Sequence, residues 1–186
     1  SAPAPTADYA GVPQGLVPRA ALVGAWVSAW FKPDEAVAYR VVFRKSINGQ
    51  ELYGAPSGRS DIVNPVAGAA SYVTLTCPIP TSTAGAGGAI GVVAGDFCQV
   101  YRSRLSGGAA IVPSDEMFLV VEQEVQAADV TAGFMTIQDN TSDENIGASL
   151  YWLCVLALHR LGGGGAGRSS DARRRRLSVR LRSGCW

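Results

Sequence analysis

Apolar and polar side chains alternate along this chain in short runs, and the clearest run is AVAYRVVFRKSINGQELYG. Val37, Tyr39, Val41 and Phe43 fall on one side of an extended backbone. Ala38, Arg40, Val42 and Arg44 fall on the other. That period of two predicts a half-buried strand. Asn48-Gly49 then supplies two residues that accept positive φ, as a type I′ hairpin turn requires, and Gln50 to Tyr53 form the returning partner. The same pattern predicts strands in SYVTLTCPIP, where Val73, Leu75 and Cys77 face inward and Pro78 ends the pairing, and in FCQVYRSRL, EMFLVVEQEV and AGFMTIQD. A strand from Ala20 to Phe31 would gather Val23, Ala25, Val27, Ala29 and Phe31, whereas a helix would stack Leu22, Trp26 and Trp30. GRSDIVNPVAGAA reads as a loop, TSTAGAGGAIGVVAGD as a glycine-rich loop entering a short strand, AAIVP as a short strand, and NTSDEN as an acidic turn.

ASLYWLCVLALHR is apolar on both faces: Leu150, Trp152, Cys154, Leu156 and Leu158 against Tyr151, Leu153, Val155 and Ala157. A strand of that kind is central in its sheet or covered on its outer face by another molecule; a buried helix is the rival reading. Residues 1–18 hold Pro3, Pro5, Pro13 and Pro18 and read as an extended arm. LGGGGAG reads as a hinge. About eight strands with glycine-rich turns and no internal repeat predict an all-β fold, a single antiparallel β-sandwich over residues 19–160. An extended N-terminal arm and an arginine-rich tail, residues 161–186, flank it.

Composition agrees with one packed domain. The chain is 47% hydrophobic and 17% charged, which separates it from disordered sequences, and 186 residues suffice for a sizeable core. Its longest apolar run, Ile146 to Leu158, falls short of the roughly 20 residues a bilayer span needs. The N-terminal residues lack the basic start and apolar stretch of a signal peptide. Cys77, Cys98, Cys154 and Cys185 lack metal-ligand spacing; Cys77 and Cys154 sit in apolar runs as buried thiols, and a reducing compartment is the simpler expectation.

Charge changes the picture. Residues 161–186 carry Arg168, Arg173, Arg174, Arg175, Arg176, Arg180 and Arg182 against Asp171, a net +6. Residues 1–160 carry nine Lys and Arg against fourteen Asp and Glu, a net −5. The formal +1 of the whole chain therefore hides an acidic body joined to a basic tail. Arginine stays protonated and pairs bidentately with phosphate, so a hinged arginine tail is expected to bind polyanions, single-stranded nucleic acid first among them. Leu177, Val179 and Leu181 alternate with Arg176, Ser178, Arg180 and Arg182, so an extended tail would turn apolar groups to protein and arginines to phosphate. Trp186 would stack on a base or pack on a neighbouring subunit. A solubilising tail, a targeting signal and a patch binding the acidic body are the other readings.

Catalytic chemistry is thin. His159 is the one histidine, and it ends an apolar run. Gly85 and Gly87 meet Ile90 where a dinucleotide fingerprint needs glycine, and no Gly-Lys-Ser/Thr follows. Glu122 and Glu124 lie two apart and read as solvent-facing acids rather than a catalytic pair. Asp139, Asp143 and Glu144, with Asn140, offer weak Ca²⁺ ligands without the EF-hand order, so an ordinary turn is expected. Asn140-Thr141-Ser142 matches a glycosylation sequon, which matters only in a secreted protein. Neither an enzyme nor a cofactor nor a metal is expected.

Taken in order, WFKPDEAVAYRVVFRK, EMFLVVEQEV and ASLYWLCVLALHR, followed by RRRRLSVRLR, resemble the jelly-roll coat proteins of small icosahedral, picorna-like RNA viruses across residues 20–182. The resemblance implies an eight-stranded jelly roll that self-assembles into an icosahedral shell, with other coat subunits as further partners and RNA held by the tail. It implies assembly in the host cytoplasm and residence in the virion. Many such coats carry the basic arm at the N-terminus, whereas here it is C-terminal. Trp26, Trp30, Tyr151, Trp152 and Trp186 are the candidate subunit contacts. Two other functions compete: a particle-decorating protein that binds a protein lattice, and a β-sandwich binding sugars or a cell surface through Trp26, Trp30 and Tyr53.

Overall fold

A computed structural model describes residues 12–24, 29–80 and 91–150. Two antiparallel sheets face each other across an apolar core. The smaller sheet has the order β1-β5-β8, from Arg19–Val23 (β1), Tyr72–Pro78 (β5) and Phe134–Asp139 (β8). The larger sheet is built on Glu35–Ile47 (β2), with Gln50–Tyr53 (β3) and Ser60–Asn64 (β4) on one edge. Phe97–Ser103 (β6) lies on its other edge, followed by Met117–Glu124 (β7). The described residues are therefore mostly β, with one short helix, α1 (Ala127–Ala132), and a single turn of 3-10 helix at Asp143–Asn145.

Alternation does what it predicts on the inward faces. Val37, Tyr39, Val41 and Phe43 of β2 meet Val73, Leu75 and Cys77 of β5 and Met135 and Ile137 of β8, all fully or almost fully buried. The outward face of the smaller sheet exposes Thr136 and Gln138, together with Phe134 at 45%. The β2–β3 hairpin turns at Asn48 (φ 52°) and Gly49 (φ 76°), both positive as a type I′ turn demands.

The second face of β2 departs from the expected half-buried strand. Ala38 and Val42 are buried there too, in a separate cluster with Tyr101, Met117 and Leu150, and with Tyr53 and Leu119 half-buried against it. Leu150 begins the stretch that is apolar on both faces. Just before it, Gly147 to Ser149 run along β7: the Leu119 amide donates to the Ala148 carbonyl and the Gly147 amide to the Leu119 carbonyl. The strand or helix expected over residues 151–160 lies outside the described residues.

Two local expectations are corrected. Ser60–Asn64, read as a loop, is β4, paired with Glu35 to Tyr39. Five residues that include Asp61 and run into Pro65 carry little strand signal of their own, and the open edge of β2 supplies the template. AAIVP, read as a strand, is a turn in which the Ile111 amide donates to the Gly108 carbonyl. Helix α1 had no prediction. The Asp129 carboxylate accepts the Gln126 amide at 2.9 Å at its start, and Gly133 (φ 77°) ends it in the left-handed region.

The edge of β2 is sealed along its length. Between β4 and β3, the Val41 amide donates to the Ser57 hydroxyl at 2.9 Å, the Ser57 amide donates to the Val41 carbonyl, and the Gly54 amide donates to the Phe43 carbonyl. Residues 12–18, expected as a free arm, are fastened there. Val12 is in the core at 1% exposure, and the Gly15 amide donates to the Ala55 carbonyl. A Cβ on Gly54 would lie 2.2 Å from the Pro13 carbonyl oxygen, which no backbone contact tolerates. Gly54→Ala is expected to detach residues 12–17 and cost about 1–3 kcal/mol by overpacking. Faster deuterium exchange at the Gly15 amide in the variant checks this.

Candidate functional site

Inward-facing positions also hold charge. On β6, Cys98 and Val100 point into the core and Arg102 follows in the same register; on β8, Met135 and Ile137 are followed by Asp139. These two ends meet across the sandwich. Arg102 Nη1 donates to Asp139 Oδ2 at 2.7 Å, with both side chains at 0% exposure. Arg102 Nη2 donates to Asp143 Oδ1 at 3.0 Å, and Nη1 also reaches the Thr141 carbonyl at 2.7 Å. The Tyr39 hydroxyl donates to Asp139 Oδ2 at 2.9 Å, and Asp139 Oδ1 accepts the Thr141 amide at 2.9 Å. Burial, and then the Asp139 charge, push the Tyr39 phenol well above its ordinary range, so it stays a donor.

Trp30 closes this cluster. Its indole N–H donates to the Asp139 carbonyl at 2.9 Å, and the Arg102 guanidinium carbon lies 3.6 Å from the ring centre. Phe31 stacks beside it at 5.2 Å. Trp30, expected among the subunit contacts, is 7% exposed and belongs to the inter-sheet core. Tyr53 sits against the other cluster, on the outer face of β2, so these two residues do not form one stacking surface. Of the weak Ca²⁺ ligands, Asp139 and Asp143 serve the Arg102 guanidinium instead, and Glu144 is exposed. Among the described residues no three His, Cys, Asp or Glu side chains group as a metal site. The sequence signal for the cluster was an arginine and an aspartate in the inward register of two apolar strands, outweighed in the reading by the acidic turn around Asp139.

The other basic side chains of the larger sheet are engaged in the same way. Arg44 bridges Glu51 and Glu122, Lys45 donates to Asp96 at 2.6 Å, and Arg59 bridges Asp61 and Asp115. Glu122 is thus an ion-pair partner of Arg44 and also accepts from Gln99, while Glu124 is exposed. Arg40 donates to the Ser57 carbonyl at 2.8 Å. Acids in excess remain at the surface, among them Glu116, Glu124 and Glu144.

An apolar patch accompanies this spent charge. Val63 on the outer side of β4, with Ile111 and Val112 of the β6–β7 turn, line a shallow cleft with Ala36, Ala109 and Pro113. Val112 is 78% exposed and Ile111 53%. Side chains of this kind in one place are the usual material of a protein contact. The expected nucleic-acid residues Arg168, Arg173, Arg174, Arg175, Arg176, Arg180 and Arg182 lie outside the described residues, as do Trp26, Tyr151, Trp152, His159 and Trp186. No protein-family model matches this chain, and neither a curated protein nor a solved structure matches it.

Proposed function

We propose that this chain is a structural subunit, a coat protein that associates with copies of itself into a shell and holds RNA through its arginine tail. The observation that carries the reading is the division of charge. Arg44, Lys45, Arg59 and Arg102 of the body are committed to carboxylates, whereas the tail holds seven arginines against one acid. Arg19, Lys32 and Arg104 of the body stay exposed, and the tail holds the larger store of cations for a polyphosphate partner. The exposed Val63, Ile111 and Val112 supply apolar area for lateral contact, and shell symmetry would repeat one such contact many times.

A jelly roll is the finer fold we propose. Such a fold is a long antiparallel ribbon wrapped on itself, in which the third strand pairs with the sixth and the fourth with the fifth. With the β3 and β4 strands set aside as an insertion, β5–β8 and β6–β7 are those two pairs. In a complete jelly roll a seventh and an eighth strand lie between the second and fourth and between the first and third, whereas here β2 pairs directly with β6 and β1 with β5, so the likeness rests on the two ribbon pairs alone. We assign the particle to a virion assembled in cytoplasm.

Purified full-length chain is expected to sediment as large particles with absorbance at 260 nm above that of protein. A lone subunit indifferent to RNA at low ionic strength would overturn the reading. Particles or trimers free of nucleic acid would transfer it to the lattice-decorating alternative.

A further inference from the structure

Two thiols meet in the middle of the sandwich. Cys77 lies on β5, the central strand of the smaller sheet, and Cys98 on β6, which lies between β2 and β7 in the larger one. Both side chains point inward, both are at 0% exposure, and both belong to the same apolar cluster. We propose that Cys77 and Cys98 are a disulfide site, a covalent tie between the two sheets that forms when the chain folds in the presence of a small disulfide donor such as oxidised glutathione.

Contact geometry supports the pairing. On β6 Cys98 lies four residues before Arg102, and on β8 Met135, the partner of Cys77 across the β5–β8 ladder, lies four before Asp139, so the Arg102–Asp139 contact sets the two inward thiols at one level across the sandwich. Interaction with the Cys77 thiol first, and burial second, hold the Cys98 thiol well above its ordinary range. In the folded, reduced protein Cys98 is therefore short of thiolate, and both thiols are shut away from reagents. The reaction belongs to the folding chain, while the thiols are still open to solvent. One cysteine thiolate attacks the glutathione disulfide, forming a mixed disulfide and releasing one glutathione thiolate. The other cysteine thiolate then displaces the second glutathione. Two electrons pass from the cysteine sulfurs to glutathione, and the two cysteine protons end on the two glutathione thiols. The product links the strands on either side of about 20 residues of chain.

The test is oxidative refolding of the full chain from urea in a glutathione buffer, followed by alkylation in denaturant and peptide mapping. The expected result is a Cys77–Cys98 linked peptide as the main disulfide product. Closing a loop of this length predicts a thermal midpoint roughly 10 °C above that of the reduced protein. The double variant Cys154→Ser, Cys185→Ser retains only the proposed pair. After oxidative refolding it should show no alkylatable thiol, and after refolding in reductant, two. Cys98→Ala in that background should abolish the upward shift, each refolded form being compared with its own reduced control. Two alkylatable thiols after oxidative refolding of the double variant would overturn the proposal. So would a wild-type map in which Cys77 and Cys98 pair mainly with Cys154 or Cys185.

Discussion

Removing the Arg102 side chain is expected to lower stability by about 3–5 kcal/mol, a large share of what a domain of this size has to lose. Arg102→Ala leaves Asp139 at 0% exposure with no cation, and leaves Trp30 without the guanidinium that lies on its ring. The cost comes mainly from the stranded carboxylate, since two charges brought out of water gain little from each other beyond their desolvation. The pair of variants that separates these terms is Arg102→Met alone and Arg102→Met with Asp139→Asn. The single change keeps the buried charge and should stay near the full loss. The double change removes it, leaves the Tyr39 hydroxyl a carbonyl acceptor, and should recover a good part. Urea denaturation midpoints at constant m-value measure both. A double variant no better than the single one would place the stability in the ion pair itself.

Deleting residues 162–186 is expected to abolish RNA binding, and salt is expected to weaken the intact chain steeply. Each phosphate neutralised on a single strand contributes about −0.7 to the slope of log K against log salt, so seven arginines set a limit near −5. Between 50 and 200 mM salt that limit corresponds to a loss of about a thousandfold in affinity. Filter binding with a single-stranded oligonucleotide across that range gives the slope. A slope unchanged by the deletion would put the cations on the body, against the ion pairs that engage Arg44, Lys45 and Arg59.

Period-two alternation made β5 and β8 legible, because each buries one face and the face is written in every second residue; β2 and β6 carried the same sequence signal although both of their faces are largely buried. Asn48-Gly49 was legible because few residue pairs accept its dihedrals. What escaped was set by distant parts of the chain. β4 exists because β2 is thirteen residues long and its edge must be paired; nothing within Ser60–Asn64 says so. Arg102 and Asp139 were each readable as inward-facing, yet their union depends on the register of two sheets. Trp30 carried the same ambiguity as any tryptophan, anchor outside or roof inside, and a polar neighbour 109 positions away decided it.

The Tyr39 and Asp139 contact spans 100 positions of sequence, and it has a kinetic consequence. A topology that closes so late folds on the slow side, in milliseconds to seconds, because loop entropy is spent before the core repays it. On a ribosome adding about 5–20 residues per second, β2 waits several seconds before β8 emerges. During that interval its two apolar faces are open to any neighbouring nascent chain, and crowding of ribosomes on one message becomes a hazard for the fold.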